Sequence, residues 1–562
     1  MGPPRSRATG KKSRNGCKTC KIRRVKCDES KPLCLRDNRG PFFTILPKKQ
    51  AAVLAPSPAP TKTFKIVLEP QPASSFSDQE SRYFNYFRQS TASCLAEYLD
   101  TKLWNCIVLQ ATEQTLPVKH SVIALGALHK TLQEDPCPHS TDGNLQQNPH
   151  YRFALQQYGK SLKLTRAACT ATAIDTRTLL ISCFLSICFE GIHGSTDAAV
   201  AHIKSGLSIL NEFCGKESKK ISTAERQLLP GVLEDEIISV LARLDTDLTS
   251  LVEIEPVVMH PKVQIVVREV FRCMPSDQFE SLTSARKYLD LLLREVGIFV
   301  TSSNEQHWNP ILPRESFIDP DSGLYVDLHP DPETCLRPTL VQQADRAGFL
   351  DCLEKWQHTF LSLTKSACAQ QTPDAGLATT ALNLRVICAS VSLKCCFGPE
   401  ITYDAFIPEF EMALQLAQTL HASGPSSKGP RPTFITSSIL IRSLYFIAIK
   451  CRVLRVRVGA LRILEGMKRR EGIWDAGFVS GVIKCVVAIE EGWEGDDGEK
   501  ADWYEEYVGE ETDAELPPES RRITSLKTSF DVYKRIGNIR FFQTVNGDDG
   551  ATFLVGKRDI MW

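Results

Sequence analysis

From residue 76 to about residue 470 the apolar residues fall at helical spacing, in stretches separated by polar, glycine- or proline-containing breaks. Leu179, Leu180, Cys183, Phe184, Ile187 and Cys188 recur at i, i+1, i+4, i+5, i+8 and i+9, which places them on one face of a helix. Gly191-Ile192-His193-Gly194-Ser195 interrupts this run. Ala198, Ala201, His202, Gly206 and Ile209 then begin a second helix, so the pair reads as an αα-hairpin. The same spacing predicts helices over 78–98, 118–134, 151–170, 176–191, 196–214, 282–300, 345–365, 376–396, 403–421 and 435–466. Ser77-Asp78-Gln79-Glu80 has the form of a capping box at the start of the first, with Phe76 placed as a hydrophobic staple. Strand signals are few, and the body from 76 to 489 is predicted to be all-α. Its longest apolar run, Leu179 to Phe189, contains Ser182 and Ser186 and is too short to span a bilayer, so it is predicted to be a buried helix with no membrane association.

Outside the body the pattern changes. Residues 1–16 read as a basic flexible tail. Residues 41–75 carry Pro41, Pro47, Pro56, Pro58, Pro60, Pro70 and Pro72, which rule out a continuous helix and predict a linker. No apolar heptad is present there, so no coiled-coil dimer is predicted from this segment, and monomeric binding or dimerisation through the body both stay open. Residues 490–519 hold 14 Asp and Glu against the single base Lys500, with Trp493, Trp503, Tyr504 and Tyr507 interleaved. Two readings stand for this acidic aromatic segment: a solvated loop between helices, or an activation segment that engages transcription coactivators. Residues 520–562 return to mixed composition.

Charge sharpens the division. The formal net charge of +1 conceals a basic head: residues 1–50 hold 15 Lys and Arg against 3 Asp and Glu, while the remaining residues hold 52 against 63. A basic tip on an acidic body is the electrostatic pattern of a nucleic-acid-binding module attached to a regulatory domain. Lys11, Lys12 and Arg14 could act with the following basic run as a nuclear import signal. The same bases break any secretory apolar region at the start.

Cysteine supplies the chemistry. Of 20 cysteines, 16 are scattered, many in apolar runs, and read as reduced core residues. The other four form Cys17-x2-Cys20-x6-Cys27-x6-Cys34. Cys17 and Cys20 put two thiolates on one turn, and Cys27 and Cys34 can complete the tetrahedron that Zn2+ prefers with sulfur. Between Cys20 and Cys27 lies Lys21-Ile22-Arg23-Arg24-Val25-Lys26. On a short helix Arg23, Arg24 and Lys26 would turn outward, where arginine can pair with guanine edges and lysine can neutralise phosphates. Lys18 and Lys21 complete the candidate DNA contacts.

Residues 17–40 resemble the N-terminal half of a fungal Zn2Cys6 binuclear-cluster DNA-binding domain. The matching features are the Cys-x2-Cys-x6-Cys spacing, the basic insert, Asp28 after the third cysteine and Pro32 two before the fourth. The resemblance implies that Cys17 and Cys34 bridge two zinc ions and that the insert is a recognition helix for CGG-type triplets in double-stranded DNA. The family usually has lysine where Arg24 stands, and arginine presents a different donor fork. The fifth and sixth cysteines of the pattern are absent: Asp37 and Thr44 occupy their positions. Four thiolates suffice for one zinc. A second would keep only Cys17, Cys34 and Asp37, too few soft donors for a structural site. Either the second half of the cluster has decayed, or the reading frame departs from the natural exon near Arg36.

The body is similar to the helical regulatory region found behind such clusters. The resemblance is carried by Leu179 to Leu210, an apolar helix, a glycine-containing turn, then Ala-x2-His-x3-Gly-Leu-x-Ile-Leu. It implies a region that modulates activity, in some relatives by binding a small effector. His202, the Cys395-Cys396 pair and the basic run 450–457 are read as a core or surface histidine, buried thiols and a solvated helix face. No phosphate loop, dinucleotide fingerprint, HExxH or Gly-x-Ser-x-Gly is present, and no enzyme activity is predicted. Two functions are expected: a nuclear, sequence-specific regulator of RNA polymerase II genes, with a metabolic or secondary-metabolite gene cluster as the implied target, or a regulatory interaction protein whose crippled finger does not bind DNA.

Overall fold

The first helix starts where its capping residues place it. In the computed structural model, Ser77 Oγ accepts from Glu80 N at 3.2 Å and the Glu80 carboxylate accepts from Ser77 N at 3.0 Å, closing the capping box of α1 (Asp78–Tyr86). The staple differs from the expected one. Ser81 stands at the usual partner position and is polar, so Phe76 stacks instead on Phe84, with ring centroids 5.1 Å apart. The structure describes residues 76–562 except 97–98, 135–144, 172–173, 218–234, 252–273, 309–315, 319–324, 328–337, 368–372, 424–432, 468, 494–515, 532–533 and 545–551. The zinc-cluster module, the basic tail and the proline-rich linker lie outside the described residues.

The described residues are mainly helical. After α1 a π-helical turn, Phe87–Thr91, leads into α2 (Ala92–Ala96); a second, Leu103–Ile107, leads into α3 (Val108–Gln114). An i→i+5 turn rotates the face that follows it, and here Phe87, Thr91, Leu103, Trp104 and Ile107 are all buried. Next come α4 (Leu116–Glu134), α5 (Pro149–Thr170), α6 (Thr176–His193) and α7 (Thr196–Glu217). As expected, α6 and α7 form an αα-hairpin. Gly194 makes the turn at φ 97°, a conformation that glycine adopts without a Cβ penalty. Helix α6 is buried on most of its circumference, against α4, α7 and α8 (Asp235–Leu251).

The second half is built on α9 (Leu282–Trp308), α10 (Leu340–Ala367), α11 (Pro373–Cys395), α12 (Ile407–Ser423), α13 (Leu440–Lys450), α14 (Leu454–Gly466) and α15 (Ala476–Glu491). Residues Asp374–Cys395 have the length and apolarity of a membrane span. They pack against α9, α10, α12 and α13, and Arg385 reaches an interior carboxylate, so α11 is a core helix.

Several elements depart from the helical pattern. The helix expected over 435–466 is split: α13 ends at Lys450, Cys451 and Val453 are extended, and α14 begins at Leu454. No glycine or proline marks the break. It turns Arg452 inward to a buried carboxylate. Helices α3, α8 and α15 were not expected; α15 is rich in β-branched valine and isoleucine, yet Asp475 caps its start and Gly492 ends it in the left-handed region.

Strands also appear within the expected all-α body. β1 (Ser316–Ile318) pairs antiparallel with β2 (Tyr325–Asp327). β3 (Thr433–Ile435) pairs parallel with β4 (Arg469–Glu471), which turns at Gly472 into β5 (Trp474–Asp475). After the body, β6 (Ile523–Asp531), β7 (Ile536–Thr544) and β8 (Thr552–Met561) form an antiparallel meander. Its inner side, with Ile539 and Phe541 fully buried, lies against α15.

Candidate functional site

The residues that sequence reasoning selects for metal and DNA, Cys17, Cys20, Cys27 and Cys34 with Lys18, Lys21, Arg23, Arg24 and Lys26, lie outside the described residues. Their donor set is four thiols, which fits one tetrahedral zinc. Among the described residues no group of three or more His, Cys, Asp or Glu could hold a metal ion.

The secondary candidates resolve individually. His202 is half-buried, with Nε2 3.4 Å from the Tyr158 hydroxyl, which donates to Glu190 at 2.8 Å. Burial pushes the His202 pKa down, so it is a neutral, hydrogen-bonded packing residue. Cys395 and Cys396 are buried, and burial pushes both thiols up to about 11; Cys396 donates to the Leu393 carbonyl at 3.1 Å. A thiol held protonated is a poor nucleophile and a poor redox sensor.

The basic run 450–457 is not a solvated helix face. Arg452 and Arg457 have side chains of zero exposure and converge on Glu490, which is equally buried. Arg452 donates to Glu490 at 3.1 Å and lies 2.8 Å from Glu400; Arg457 donates to the other Glu490 oxygen and, through Nε, to the Cys451 carbonyl at 2.7 Å. Glu490 Oε1 also accepts from Ile523 N at 2.8 Å, tying the start of β6 to the end of α15. Burial pushes the Glu490 carboxyl up, but Arg457 and Arg452 outweigh it and hold it below its ordinary value. Beside this cluster, Arg522 forks onto Asp404 at 2.7 and 2.6 Å, and the Glu519 carboxylate accepts from the backbone N–H groups of Glu400 and Ile401 at 2.9 and 2.7 Å. Both described ends of the acidic segment are therefore structural: Glu490 is a core anion and Glu519 caps a helical turn. Residues 494–515, with the remaining acids of that segment other than Glu491, lie outside the described residues.

A second interior charge cluster was missed entirely, because its members are scattered through the chain. Asp100 accepts from Arg243 at 2.6 and 2.8 Å and from Arg286 at 2.9 Å. Asp290 lies 2.8 Å from Arg243 and 2.5 Å from Arg385, and also accepts from Ser239. All these side chains are under 9% exposed. The cluster joins the turn at Asp100 to α8, α9 and α11. Burial pushes the Asp290 carboxyl up, yet Arg385, Arg243 and Arg286 together hold it down at about 2. Asp247, one turn beyond Arg243, shows the opposite balance: burial pushes it up to about 6, and Arg442 at 4.0 Å and the Ser438 hydroxyl offset this only in part. Charged residues with periodic apolar neighbours were the sequence signal; nothing in it says which charge meets which.

A cleft of about 290 Å³ opens at the α6–α7 turn, lined by His193, Gly194, Ser195, Thr196 and Asp197 and closed by Phe530 and Asp531 of β6. The Tyr151 hydroxyl bonds His193 Nε2 at 2.7 Å, and burial keeps this imidazole neutral by lowering its pKa.

Comparison with known proteins gives a partial likeness. No protein-family profile matches the chain, and no solved structure matches it. It is similar to the Aspercryptin biosynthesis cluster-specific transcription regulator atnN of Emericella nidulans, 28% identical over 276 residues, 44% of this chain and 42% of that protein. It is also similar to the Zn(2)-C6 fungal-type transcription factor afumD of Aspergillus fumigatus, 32% identical over 130 residues, 22% of this chain and 34% of that protein. The chain spans less than half the length of either relative it matches. These similarities support a role in transcription regulation of the fungal type.

Proposed function

We propose that this chain is a nuclear, sequence-specific DNA-binding regulator of RNA polymerase II genes, and that its targets form a metabolic or secondary-metabolite gene cluster. The observation that carries the reading is Cys17-x2-Cys20-x6-Cys27-x6-Cys34 with its basic insert, placed before a helical body in a chain similar to named fungal transcription regulators. On this reading Cys17, Cys20, Cys27 and Cys34 hold one zinc, which supplies the folding free energy of a module too small to build its own core. Arg23, Arg24 and Lys26 read a CGG-type triplet, and Lys18 and Lys21 neutralise phosphates. The helical body regulates, and the acidic residues of 494–515 with Trp503, Tyr504 and Tyr507 engage coactivators.

A second reading rests on a specific observation. Asp37 and Thr44 stand where the resembling family has its fifth and sixth cysteines. In that case the finger is degenerate and the protein acts in transcription through its helical body without touching DNA. One experiment separates the two: zinc content of the full chain by elemental analysis, with binding to a CGG-containing duplex in the same preparation. One zinc per chain and CGG-selective binding, both removed by Cys20→Ser, support the first reading. Absence of zinc and of selectivity refutes it in favour of the second.

A further inference from the structure

We infer that the outer face of α5 is a second contact surface for the phosphate backbone of double-stranded nucleic acid, separate from the cysteine-rich head. Helix α5, Pro149–Thr170, contains no Asp or Glu. Arg152, Lys160, Lys163 and Arg166 are all exposed on it. At 100° per residue these four fall within one 120° arc, opposite the buried positions Ala154, Gln157 and Ser161. Over their 14-residue span α5 rises about 21 Å, and Lys160, Lys163 and Arg166 follow one another about 4.5 Å apart along the axis.

Among the described residues none of the four has an ion-pair partner, in contrast with other basic runs of the molecule. Arg452 and Arg457 are consumed by Glu490, Arg455 pairs with Glu411, and Lys130 pairs with Glu134. Residues 51–562 carry 63 acids against 52 bases, so an acid-free helix with four cations unpaired among the described residues runs against the net charge of that part of the chain. Gly159 lies between Arg152 and Lys163 on the same face, and a Cβ there would meet nothing within 4 Å. The surface is thus a shallow, open, cationic strip with flexible side chains. That chemistry suits a regular polyanion such as a duplex, which presents a charge about every 3.4 Å along each strand. The argument rests on charge and its spacing, so the contact proposed is to phosphates and is independent of sequence.

The inference takes from the proposed function only that a duplex is the ligand. The test uses the full chain and a mixed-sequence duplex lacking CGG, with affinity measured from 50 to 200 mM salt. The variant Arg152→Gln/Lys160→Gln/Lys163→Gln/Arg166→Gln keeps good helix formers at exposed positions. Its slope of log affinity against log salt is expected to flatten by about 3.6, since each lost phosphate contact removes about 0.9. Across that salt range the wild type then loses about 150-fold more affinity than the variant. Arg455→Gln, an exposed cation already paired, should leave the slope unchanged. The same comparison in a Cys17→Ser/Cys20→Ser chain separates the two ideas. If the head does not bind DNA, the cysteine changes do nothing and the α5 variant still flattens the slope. An unchanged slope in both backgrounds, or no duplex binding by the wild type, overturns the inference. So does loss, in the α5 variant, of binding to a synthetic peptide of residues 494–515 with duplex binding intact, because an acidic segment would then be the occupant.

Discussion

Replacing Glu490 tests whether the inward break between α13 and α14 holds the C-terminal sheet to the helical body. Glu490→Ala removes the carboxylate shared by Arg452, Arg457 and Ile523 N. Arg452 would keep Glu400 at 2.8 Å, and Arg457 would keep the Cys451 carbonyl at 2.7 Å and, as a charge partner, only Glu491 at 4.0 Å. Both guanidiniums have zero exposure, so water cannot replace the lost partner without opening the structure. Removing one member of a buried ion pair costs roughly 3–5 kcal/mol, and an orphaned buried N–H costs about 1–3 kcal/mol; because the terms overlap, a loss of about 4 kcal/mol is expected. The exposed pair Arg455–Glu411 is the control, and Arg455→Ala should cost under about 1 kcal/mol. Urea unfolding of the full chain by tryptophan fluorescence gives the totals, and hydrogen exchange at Ile523 N gives the local effect. The Glu490 carboxyl is held below its ordinary value, so its contribution is complete above the unfolded-state pKa and is lost as pH falls through the depressed one. The difference between wild type and variant should therefore shrink in acid. If Glu490→Ala shifts the urea midpoint no more than Arg455→Ala, or leaves Ile523 exchange unchanged, the cluster does not anchor β6 and the reasoning fails.

Two further predictions use other interior features. A Cβ at Gly126 would lie 2.4 Å from the Tyr83 carbonyl oxygen, so Gly126→Ala should destabilise by about 1–3 kcal/mol, whereas Gly159→Ala, in open space on a helix, should stabilise by about 0.5–1 kcal/mol; thermal melts that rank the two the other way contradict the packing. Burial holds the Asp247 carboxyl at about 6, so wild-type folding loses stability from this group as pH rises from about 4 to 6 and is level above that. Asp247→Asn should remove this slope, gaining up to about 3 kcal/mol relative to wild type between pH 4 and pH 7, and parallel urea-midpoint profiles for the two proteins would refute it.

The sequence by itself determined the parts whose cause is local. The capping box at Ser77 and Glu80, the hairpin turn at Gly194 and the helix over Leu179 to Cys188 each depend on residues within a few positions of one another and appear in the structure, although burial in that helix extends beyond the face read from the sequence, to Ile181, Ser182, Leu185 and Phe189. The cysteine array is legible for the same reason, since metal ligands at short spacing need no distant partner to be recognised. Tertiary structure decided the rest. The run 450–457 looks like any solvated basic face until Glu490 is brought against it from 33 residues away, and the chain breaks its helix at Cys451–Val453 to make that meeting possible. Asp100, Arg243, Asp290 and Arg385 form one cluster only because α8, α9 and α11 converge; separately each is an ordinary charged residue. Helix α15 has the composition of a strand, and becomes a helix in a site where its apolar residues are buried and both its ends are capped. Hydrophobic periodicity specifies which face turns inward. It does not specify which inward face meets which, because burial free energy is nearly independent of direction, while a charge pairs only with the partner that packing delivers to it.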